Sequence, residues 1–392
     1  MVIPGFTFSK VPKIFFGAGQ FQKTDTVIRY FGHNVLIVTG SYSFKASGNW
    51  DTLHKVLKSG SFHYLHYSVH GEPSPDAIDA IVSQVRDKPV DVVLAIGGGS
   101  VLDAGKAISA MIPQSGSVFD YLEGVGTKVH DGRKIPYVAI PTTSGTGSEV
   151  TKNAVLSKIG VDGFKRSLRH DMLVPDSAII DPALLMSCPS DITASCGMDA
   201  FTQLLESYVS VQSTPLTDAL ALSGLKAFKD TFILACTSGS KDIESRAGMA
   251  YASLLSGITL ANAGLGIVHG YASSIGGLFD IPHGVICGSL IGPATKITIH
   301  KLKQCDPENS ALDKYAQVGA LLHGSVSTNK EYLCDLLIEK IEEWTDAFNL
   351  SDLKKYGINT SALETIVSHT TNKNNPLPLD SAEMTQILLN RL

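Results

Sequence analysis

Continuous apolar runs alternate with segments of helical periodicity in the first half of the sequence. The run VVLAI at 92–96 is typical of a strand buried on both faces of a parallel sheet. Segment 74–88 begins with Ser74 and Pro75, which favour a helix start, and its apolar residues recur at helical spacing. Strands are predicted within residues 12–18, 33–44, 62–76, 91–112, 134–156 and 177–182, and helices at 48–59, 74–88 and the end of 91–112.

The pattern changes near Ala183. Long segments with helical periodicity occupy residues 191–209, 214–235, 242–262 and 330–348, and strand patterns largely disappear. The earlier alternation predicts an α/β nucleotide-binding layer, whereas the later segments predict helices packed on helices. We therefore predict two domains, an α/β nucleotide-binding domain at 1–183 and an all-helical domain at 184–392.

Composition narrows the class of protein. The chain has 392 residues, 44% hydrophobic and 18% charged, with a net charge of −5, so we expect a large core and no nucleic-acid partner. No run of about 18 apolar residues predicts a membrane span. The N-terminus lacks the residue order of a signal peptide, and the six cysteines form no CxxC pair. We therefore expect a cytoplasmic protein with small-molecule partners.

A glycine-rich turn, Gly97-Gly98-Gly99-Ser100, lies between a predicted strand and a predicted helix. Glycines let a ligand approach the backbone, and a helix N-terminus attracts an anion. The turn therefore predicts a phosphate site, although an ordinary strand-to-helix turn is an equal alternative. Ser100 and Asp103 resemble a capping box.

A second polar loop, PTTSGTGSE at 141–149, follows the next strand. Its hydroxyl groups suit a sugar or a pyrophosphate, and the alternative is a solvated surface loop. Lys106 and Lys165 could each be simple helix-face charges.

Two histidines, His269 and His283, lie in a stretch with few other ionisable residues. Neutral imidazole is a good ligand for divalent transition metals. Asp199 and Gln203 are four residues apart and would share one helix face, so the four side chains could form a metal site. Taken singly, each has a plain structural explanation, such as a core histidine or a polar helix residue.

Four motifs together resemble those of the iron-containing, group III alcohol dehydrogenases. They are GGGSxxDxxK at 97–106, PTTSGTGSEVT at 141–151, GMDAxT at 197–202 and GxxHGxAxxxGGxxxxPHG at 266–284. The resemblance implies the fold of dehydroquinate synthase and glycerol dehydrogenase. This fold has an α/β dinucleotide-binding N-terminal domain at 1–183, an all-α metal and substrate domain at 184–392, and the active site between them.

The resemblance also implies residue roles. NAD or NADP would contact the turn at Gly97 and the residues Gly98, Ser100, Asp103, Thr142, Thr143, Asn153 and Lys165. Asp199, His269 and His283 would match three of the family's four metal ligands. The expected metal is Fe²⁺, with Zn²⁺ as the alternative, and the expected assembly is a homodimer.

Three positions depart from the family's usual pattern. Gln203 replaces the fourth ligand, a histidine, and its amide oxygen is a harder, weaker ligand. Ser273 replaces a second active-site histidine, so Ser273, a ribose hydroxyl or water would have to relay the proton. Gly40 stands where NAD-preferring members often have an aspartate that binds the ribose 2′-hydroxyl. We therefore hypothesise that NADP(H) is accepted.

The predicted function is a metal-dependent, NAD(P)-linked alcohol dehydrogenase. One alternative is a metal-independent reductase of the maleylacetate reductase type, which the change at Gln203 would permit. Another is a non-catalytic nucleotide-binding relative. A dehydroquinate synthase-like lyase would need several basic side chains for its phosphate-bearing substrate, and 196–284 contains few of them.

Overall fold

A parallel sheet forms the framework of the first half of the chain. The structure is a computed structural model that describes residues 5–392, so residues 1–4 of the predicted first domain lie outside it. Its strands are β1 (Lys13–Phe16), β2 (Asn34–Gly40), β3 (His63–Val69), β4 (Val92–Gly97), β5 (Tyr137–Pro141), β6 (Asn153–Lys158), β7 (Phe164–Arg169) and β8 (Ser177–Ile180). Six of them form one sheet in the order β1-β8-β5-β4-β2-β3, and its pairings are parallel.

Both faces of the sheet are covered, as the run at 92–96 predicted. Val93 and Ala95 belong to one hydrophobic core, whereas Val92, Leu94 and Ile96 belong to a second core on the other face. The flanking helices are α1 (Thr24–Arg29), α2 (Ser43–Ala46), α3 (Asn49–Ser59), α4 (Pro75–Val85) and α5 (Gly99–Met111). The predicted start of α4 is confirmed, because the Ser74 hydroxyl accepts a hydrogen bond from the Ala77 amide at 3.2 Å.

The antiparallel hairpin of β6 and β7 was not predicted. The sequence favoured a loop running through residue 156, but Asn153 to Lys158 pair with Arg169 to Phe164. The turn of the hairpin contacts a helix of the second half directly, since the Gly160 amide donates to the Gly277 carbonyl at 3.1 Å. The hairpin therefore connects the sheet to the helices.

Helices make up the rest of the chain, as the periodicity predicted. They are α6 (Ser190–Val209), α7 (Pro215–Cys236), α8 (Ile243–Ala263), α9 (Ile267–Leu278), α10 (His283–Cys305), α11 (Ser310–His323), α12 (Lys330–Ala347), α13 (Leu363–His369) and α14 (Ser381–Leu389). Aromatic side chains anchor their core. Phe228 stacks on Phe232 with ring centroids 4.4 Å apart, and Trp344 meets both rings edge-on.

A sharp bend of 98° separates α8 from α9. Gly264 allows it with a left-handed φ of 70°, and a side chain there would collide with Asn374. Among residues 5–392, no individual helix combines the length and apolar composition of a membrane span, and only the bent pair of α8 and α9 passes that test jointly.

Helix α6 is central and almost wholly enclosed. Every residue from 197 to 209 is buried, including the polar Asp199, Gln203 and Glu206. Spacings of four and three place these side chains on one helix face. Because buried polar groups need partners, this face marks the site described next.

Candidate active site

A cavity of about 1370 Å³ lies between the sheet and the helices. Loops that follow β3, β4 and β5 line one side, at the carboxyl edge of the sheet, where ligands of parallel α/β sheets bind. Helices α6, α9 and α10 line the other side. The cavity therefore contains side chains from both halves of the chain.

Most of the predicted site residues line this cavity. On the helical side these are Asp199, Gln203, His269, Ser273 and His283. On the sheet side they are Gly98, Ser100, Asp103, Thr143, Asn153 and Lys165. Gly40, Gly97 and Thr142 are not among its lining residues, although Gly97 and Thr142 lie directly behind it, joined by a 2.9 Å backbone hydrogen bond.

Asp199, His269 and His283, which the family resemblance implied as metal ligands, lie close together. Asp199 Oδ1 is 3.2 Å from His269 Nε2 and 3.6 Å from His283 Nε2. Asp199 comes from the middle of α6, His269 from the first turn of α9, and His283 is the first residue of α10. One carboxylate and two imidazoles, each from a different helix, thus lie next to one another.

Cys287 joins this cluster, and the sequence analysis did not identify it. Its Sγ is 3.7 Å from His269 Nε2 and 3.8 Å from His283 Nε2. Cys287 could have been identified from its position four residues after His283, because this spacing places both side chains on one face of α10. Burial raises the pKa of the Cys287 thiol to about 11.

Glu206 was also missed, and it orients His269. Its Oε2 accepts a 2.7 Å hydrogen bond from His269 Nδ1, and its Oε1 accepts one of 2.7 Å from the Val268 amide. A carboxylate on one ring nitrogen directs the lone pair of the other nitrogen toward a metal. The signal for Glu206 was its place seven residues after Asp199, on the same face of α6.

Gln203 lies next to Asp199, and its carbonyl oxygen lies beside a hydroxyl group of α8. The Ser256 Oγ is 2.9 Å from Gln203 Oε1 and 2.8 Å from the Ser253 carbonyl, so its one hydrogen is shared between two acceptors. A second hydrogen bond, from Gln203 to Asp199, helps to lower the pKa of that carboxyl. The predicted role of Gln203 as a weak fourth metal ligand stays a prediction.

The pKa shifts in the cluster come from burial and from the charges of its own members. Burial raises the pKa of Asp199, but the imidazoles of His283 and His269 outweigh it and lower that pKa to about 2. Burial lowers the pKa of His283 to about 4 despite the nearby carboxylate, so its ring is neutral at neutral pH and retains a lone pair. Burial also acts to lower the pKa of His269, but Cys287, Asp199 and Glu206 raise it well above its ordinary value. A metal would therefore have to displace the proton of His269.

The donor set fits a divalent transition metal. Asp199, His269, His283 and Cys287 place one donor atom each within 4.8 Å of one another. Oxygen, nitrogen and sulfur donors of this kind bind iron and zinc. Within the described residues, His283 Nδ1 is buried without a hydrogen-bond partner, so the protein itself does not satisfy this ring.

Ser273 lies one turn after His269 and contacts a lysine from the C-terminal segment. Its hydroxyl donates to the His269 carbonyl at 2.9 Å, and Lys373 Nζ lies 3.5 Å from it. Lys373 is exposed to solvent and lines the cavity, and desolvation by the surrounding protein lowers its pKa to about 8. The sequence analysis did not identify Lys373.

The glycine turn and the second loop pack against each other. A Cβ at Gly99 would lie 2.6 Å from the Thr146 side chain, and one at Gly98 would lie 3.3 Å from Thr143. Helix α5 begins at this turn, and no side chain caps its first amides. These backbone donors are therefore free to bind an anion.

Two expectations about α5 were wrong. Ser100 and Asp103 do not form a capping box. Instead, the Asp103 carboxylate accepts hydrogen bonds from the Ser148 hydroxyl and from the Val155 amide, the latter at 3.0 Å, and so ties α5 to the second loop and to β6. Lys106 is not a surface charge, because it is fully buried and donates to Ser148, Thr151 and Asn153 at 2.7 to 2.9 Å.

Lys165 is also buried, in strand β7, and not on a helix face. Its ammonium pairs with Glu72, which follows β3, and Glu72 Oε2 accepts a 2.6 Å hydrogen bond from Ser157. The aliphatic part of Lys165 passes over Gly276 of α9, where a Cβ would lie 2.9 Å from it. The lysine therefore lies where the sheet side meets the helices.

Comparison with known proteins agrees with this architecture. The family models described as "Iron-containing alcohol dehydrogenase" and "Fe-containing alcohol dehydrogenase family, C-terminal" match residues 12–182 and 193–392. An NAD-dependent methanol dehydrogenase of Bacillus methanolicus is 32% identical over 72% of this chain and 73% of its own length. An NADPH-dependent butanol dehydrogenase of Clostridium saccharobutylicum is 29% identical over 95% of each chain. A solved 1,3-propanediol oxidoreductase is 26% identical, covers 99% of this chain and 100% of its own, and superposes with a TM-score of 0.88.

Proposed function

Because the chain belongs to the iron-containing alcohol dehydrogenase family, we propose that its cavity catalyses reversible hydride transfer between an alcohol and the corresponding aldehyde or ketone. NAD(P) is the hydride carrier. One observation carries the proposal: the donors of Asp199, His269 and His283 share a single cavity with the glycine turn at the start of α5. A hydride donor and a polarised oxygen can therefore meet there.

On the sheet side, the cofactor's pyrophosphate would bind the amides at Gly98 and Ser100, at the positive end of α5. The Thr143 hydroxyl lies beside the same turn. Asp103 acts by holding the second loop in place. Asn153 and Lys165 lie farther along the cavity, toward α9, and would contact the ribose next to the nicotinamide.

On the helical side, Asp199, His269 and His283 would hold the metal. A bound divalent metal supplies Lewis acidity toward the substrate oxygen. Glu206 fixes the orientation of His269 through a 2.7 Å hydrogen bond, and Gln203 supports the Asp199 carboxylate. The protein thereby fixes the substrate oxygen near the cofactor.

Lys373 is the group we propose to hold the transferred proton. During alcohol oxidation, the C–H hydrogen leaves as hydride to C4 of the nicotinamide, and the O–H proton must go to a base. Ser273, which contacts Lys373 at 3.5 Å, a ribose hydroxyl or water would relay it. The neutral amine then becomes an ammonium, and the reverse reaction uses that ammonium as the acid.

The end of β2 favours acceptance of NADP(H). Gly40 offers no carboxylate to repel a 2′-phosphate, and Ser41, Ser43 and Lys45 follow it. Lys45 lies over the Trp50 ring, with its Nζ 5.3 Å from the ring centroid, so a cation stands beside this strand end. The related methanol and butanol dehydrogenases use different cofactors, by their names, and thus the preference has to come from local residues.

The remaining parts of the proposal concern organisation. We propose domains at 1–183 and 184–392, a cytoplasmic location and a homodimer with small-molecule partners and no nucleic-acid partner. The helical periodicity, the scattered cysteines and the net charge of −5 support the domain division, the location and the absence of a nucleic-acid partner.

Light scattering after gel filtration tests the dimer, because a monomeric mass would contradict it.

The test is a screen of alcohols, aldehydes and keto acids with NADH and NADPH, combined with elemental analysis of the purified protein. We expect turnover and bound iron or zinc. Full activity in a metal-free preparation would instead support the metal-independent reductase, for which the engaged amide of Gln203 is the supporting observation. Cofactor binding without turnover on any of these substrates would identify a non-catalytic relative.

A further inference from the structure

Cys287 brings a fourth donor atom to the cluster of Asp199, His269 and His283. It is fully buried, and its sulfur lies 3.7 Å and 3.8 Å from the two imidazole Nε2 atoms. A tetrahedral ion with bonds of about 2.0 Å to nitrogen and about 2.3 Å to sulfur holds its donors about 3.3 to 3.6 Å apart. The distances from the Cys287 sulfur to the two imidazoles, and from Asp199 to the same imidazoles, are close to this spacing, and all four donors lie within 4.8 Å of one another.

Gln203 is less suited to this position. Its carbonyl oxygen lies 2.9 Å from the Ser256 hydroxyl, so the amide faces helix α8. A neutral amide oxygen is also a weaker ligand than a thiolate for zinc or cobalt. Cys287, in contrast, follows His283 by one turn of α10 and has no other close polar partner among the contacts in the described residues.

From this geometry we propose that the Cys287 thiolate is the fourth protein ligand of the metal, in place of the amide of Gln203. The inference rests on the proposed function, because it assumes that Asp199, His269 and His283 bind the same ion. Coordination replaces the S–H bond with a sulfur–metal bond, and the proton is released to solvent. The oxidation states of sulfur and metal do not change.

A thiolate ligand changes which metal the site prefers. With Asp199 and Cys287 the ion receives two anionic ligands and two neutral imidazoles. Soft sulfur favours Zn²⁺ and Co²⁺ over Fe²⁺ when compared with an amide oxygen. Cys287 therefore determines metal identity in this chain.

Cobalt substitution of the full-length protein tests the proposal directly. A thiolate bound to Co²⁺ gives an intense charge-transfer band in the near ultraviolet, which oxygen and nitrogen ligands do not give. We expect the band in the wild type, in Gln203→Ala and in the control Cys196→Ser, whose thiol lines the cavity outside the donor cluster. Cys287→Ser should lose the band, bind Zn²⁺ at least about tenfold more weakly, and retain less Zn²⁺ in competition with Fe²⁺.

The outcomes separate this inference from the proposed function. If wild-type protein binds Co²⁺ without the band, or if Cys287→Ser keeps it, Cys287 is not a ligand, while the site of Asp199 and the histidines stands. If the wild type binds no metal, both proposals fail. Circular dichroism establishes that each variant is folded, and the wild-type spectrum remains decisive should Cys287→Ser be unstable.

Discussion

Gly40 ends strand β2, and a carboxylate there should reverse the cofactor preference. A side chain at this position would meet only Val101 and Ser43, at 3.7 and 3.9 Å, so aspartate can be accommodated. Because like charges repel, Gly40→Asp should lower kcat/KM for NADPH relative to NADH by about tenfold or more, about 1.4 kcal/mol. Steady-state kinetics with both cofactors measures this ratio. Gly40→Ala is the control, and an equal shift in it would mean that bulk and not charge is responsible.

Lys373 should give the reaction a pH dependence near its shifted pKa of about 8, a value lowered by desolvation. Aldehyde reduction needs the protonated amine, so its rate should fall as the pH rises above about 8. Alcohol oxidation needs the neutral amine and should become faster over the same range. Lys373→Met should remove this dependence and slow reduction at pH 7 by about 10²-fold.

Lys158 provides the matched control for Lys373, because it lines the same cavity but has no contact with Ser273 among those the structure describes. Lys158→Met should keep the wild-type pH profile. A profile that is also unchanged in Lys373→Met would exclude this lysine from proton transfer, and Ser273 with water would then suffice.

The limits of sequence prediction at this scale follow from where each ligand stands in the chain. Asp199 and the two histidines stood out because their motifs match a known pattern. Cys287 and Glu206 did not, because their importance depends on distances between α6, α9 and α10 that only the folded chain defines. Lys373 lies 100 residues after Ser273 in the sequence, and no local pattern connects the two.

At the scale of elements, the second loop depends on close contact with helix α8. A Cβ at Gly257 would lie 2.4 Å from the carbonyl oxygen of Gly147, and this backbone atom cannot move aside as a side chain can. Gly257→Ala should therefore push the loop away from α8, destabilise the protein by about 1–3 kcal/mol, and raise the KM for the cofactor. Thermal unfolding and kinetics measure the two effects.

The matched control is Gly5→Ala, because nothing lies within 4 Å of a Cβ there. It should behave as the wild type. If Gly257→Ala lowers stability but leaves the KM of the cofactor unchanged, the loop at 141–149 does not contact the cofactor.

The elements also show what hydrophobic patterning can predict. Strand β4 was predicted because its residues form one continuous apolar run, and the long helices because each repeats one pattern over many residues. The hairpin of β6 and β7 has strands of the same length as β4, but it was missed because they include Lys158, Lys165 and Arg169 and follow a polar loop. Its pairing, and its contact with Gly277, depend on partners distant in sequence.

In the whole molecule, the proposed cofactor and metal sites belong to different halves of the chain and should be separable. The proposed cofactor contacts come from the sheet half, whereas the proposed metal donors come from α6, α9 and α10. His283→Ala should therefore abolish metal binding and slow turnover by about 10³-fold or more, yet leave the Kd of NADPH within about twofold. His283 suits this test because its Nδ1 has no hydrogen-bond partner in residues 5–392, so its removal leaves no protein group unpaired at that atom.

Thermal unfolding should show that the metal and cofactor sites are independent, without any measurement of activity. A ligand that binds only the folded protein adds about 2.7 kcal/mol at a hundred times its Kd. Because a metal bound by Asp199, His269 and His283 would join three helices, added Zn²⁺ or Fe²⁺ should raise the Tm of the wild type and not that of His283→Ala. NADPH should raise the Tm of both proteins, which shows that the variant is folded and that its sheet side is intact. Equal stabilisation of both proteins by metal would place the ion elsewhere and would remove Asp199, His269 and His283 from the mechanism.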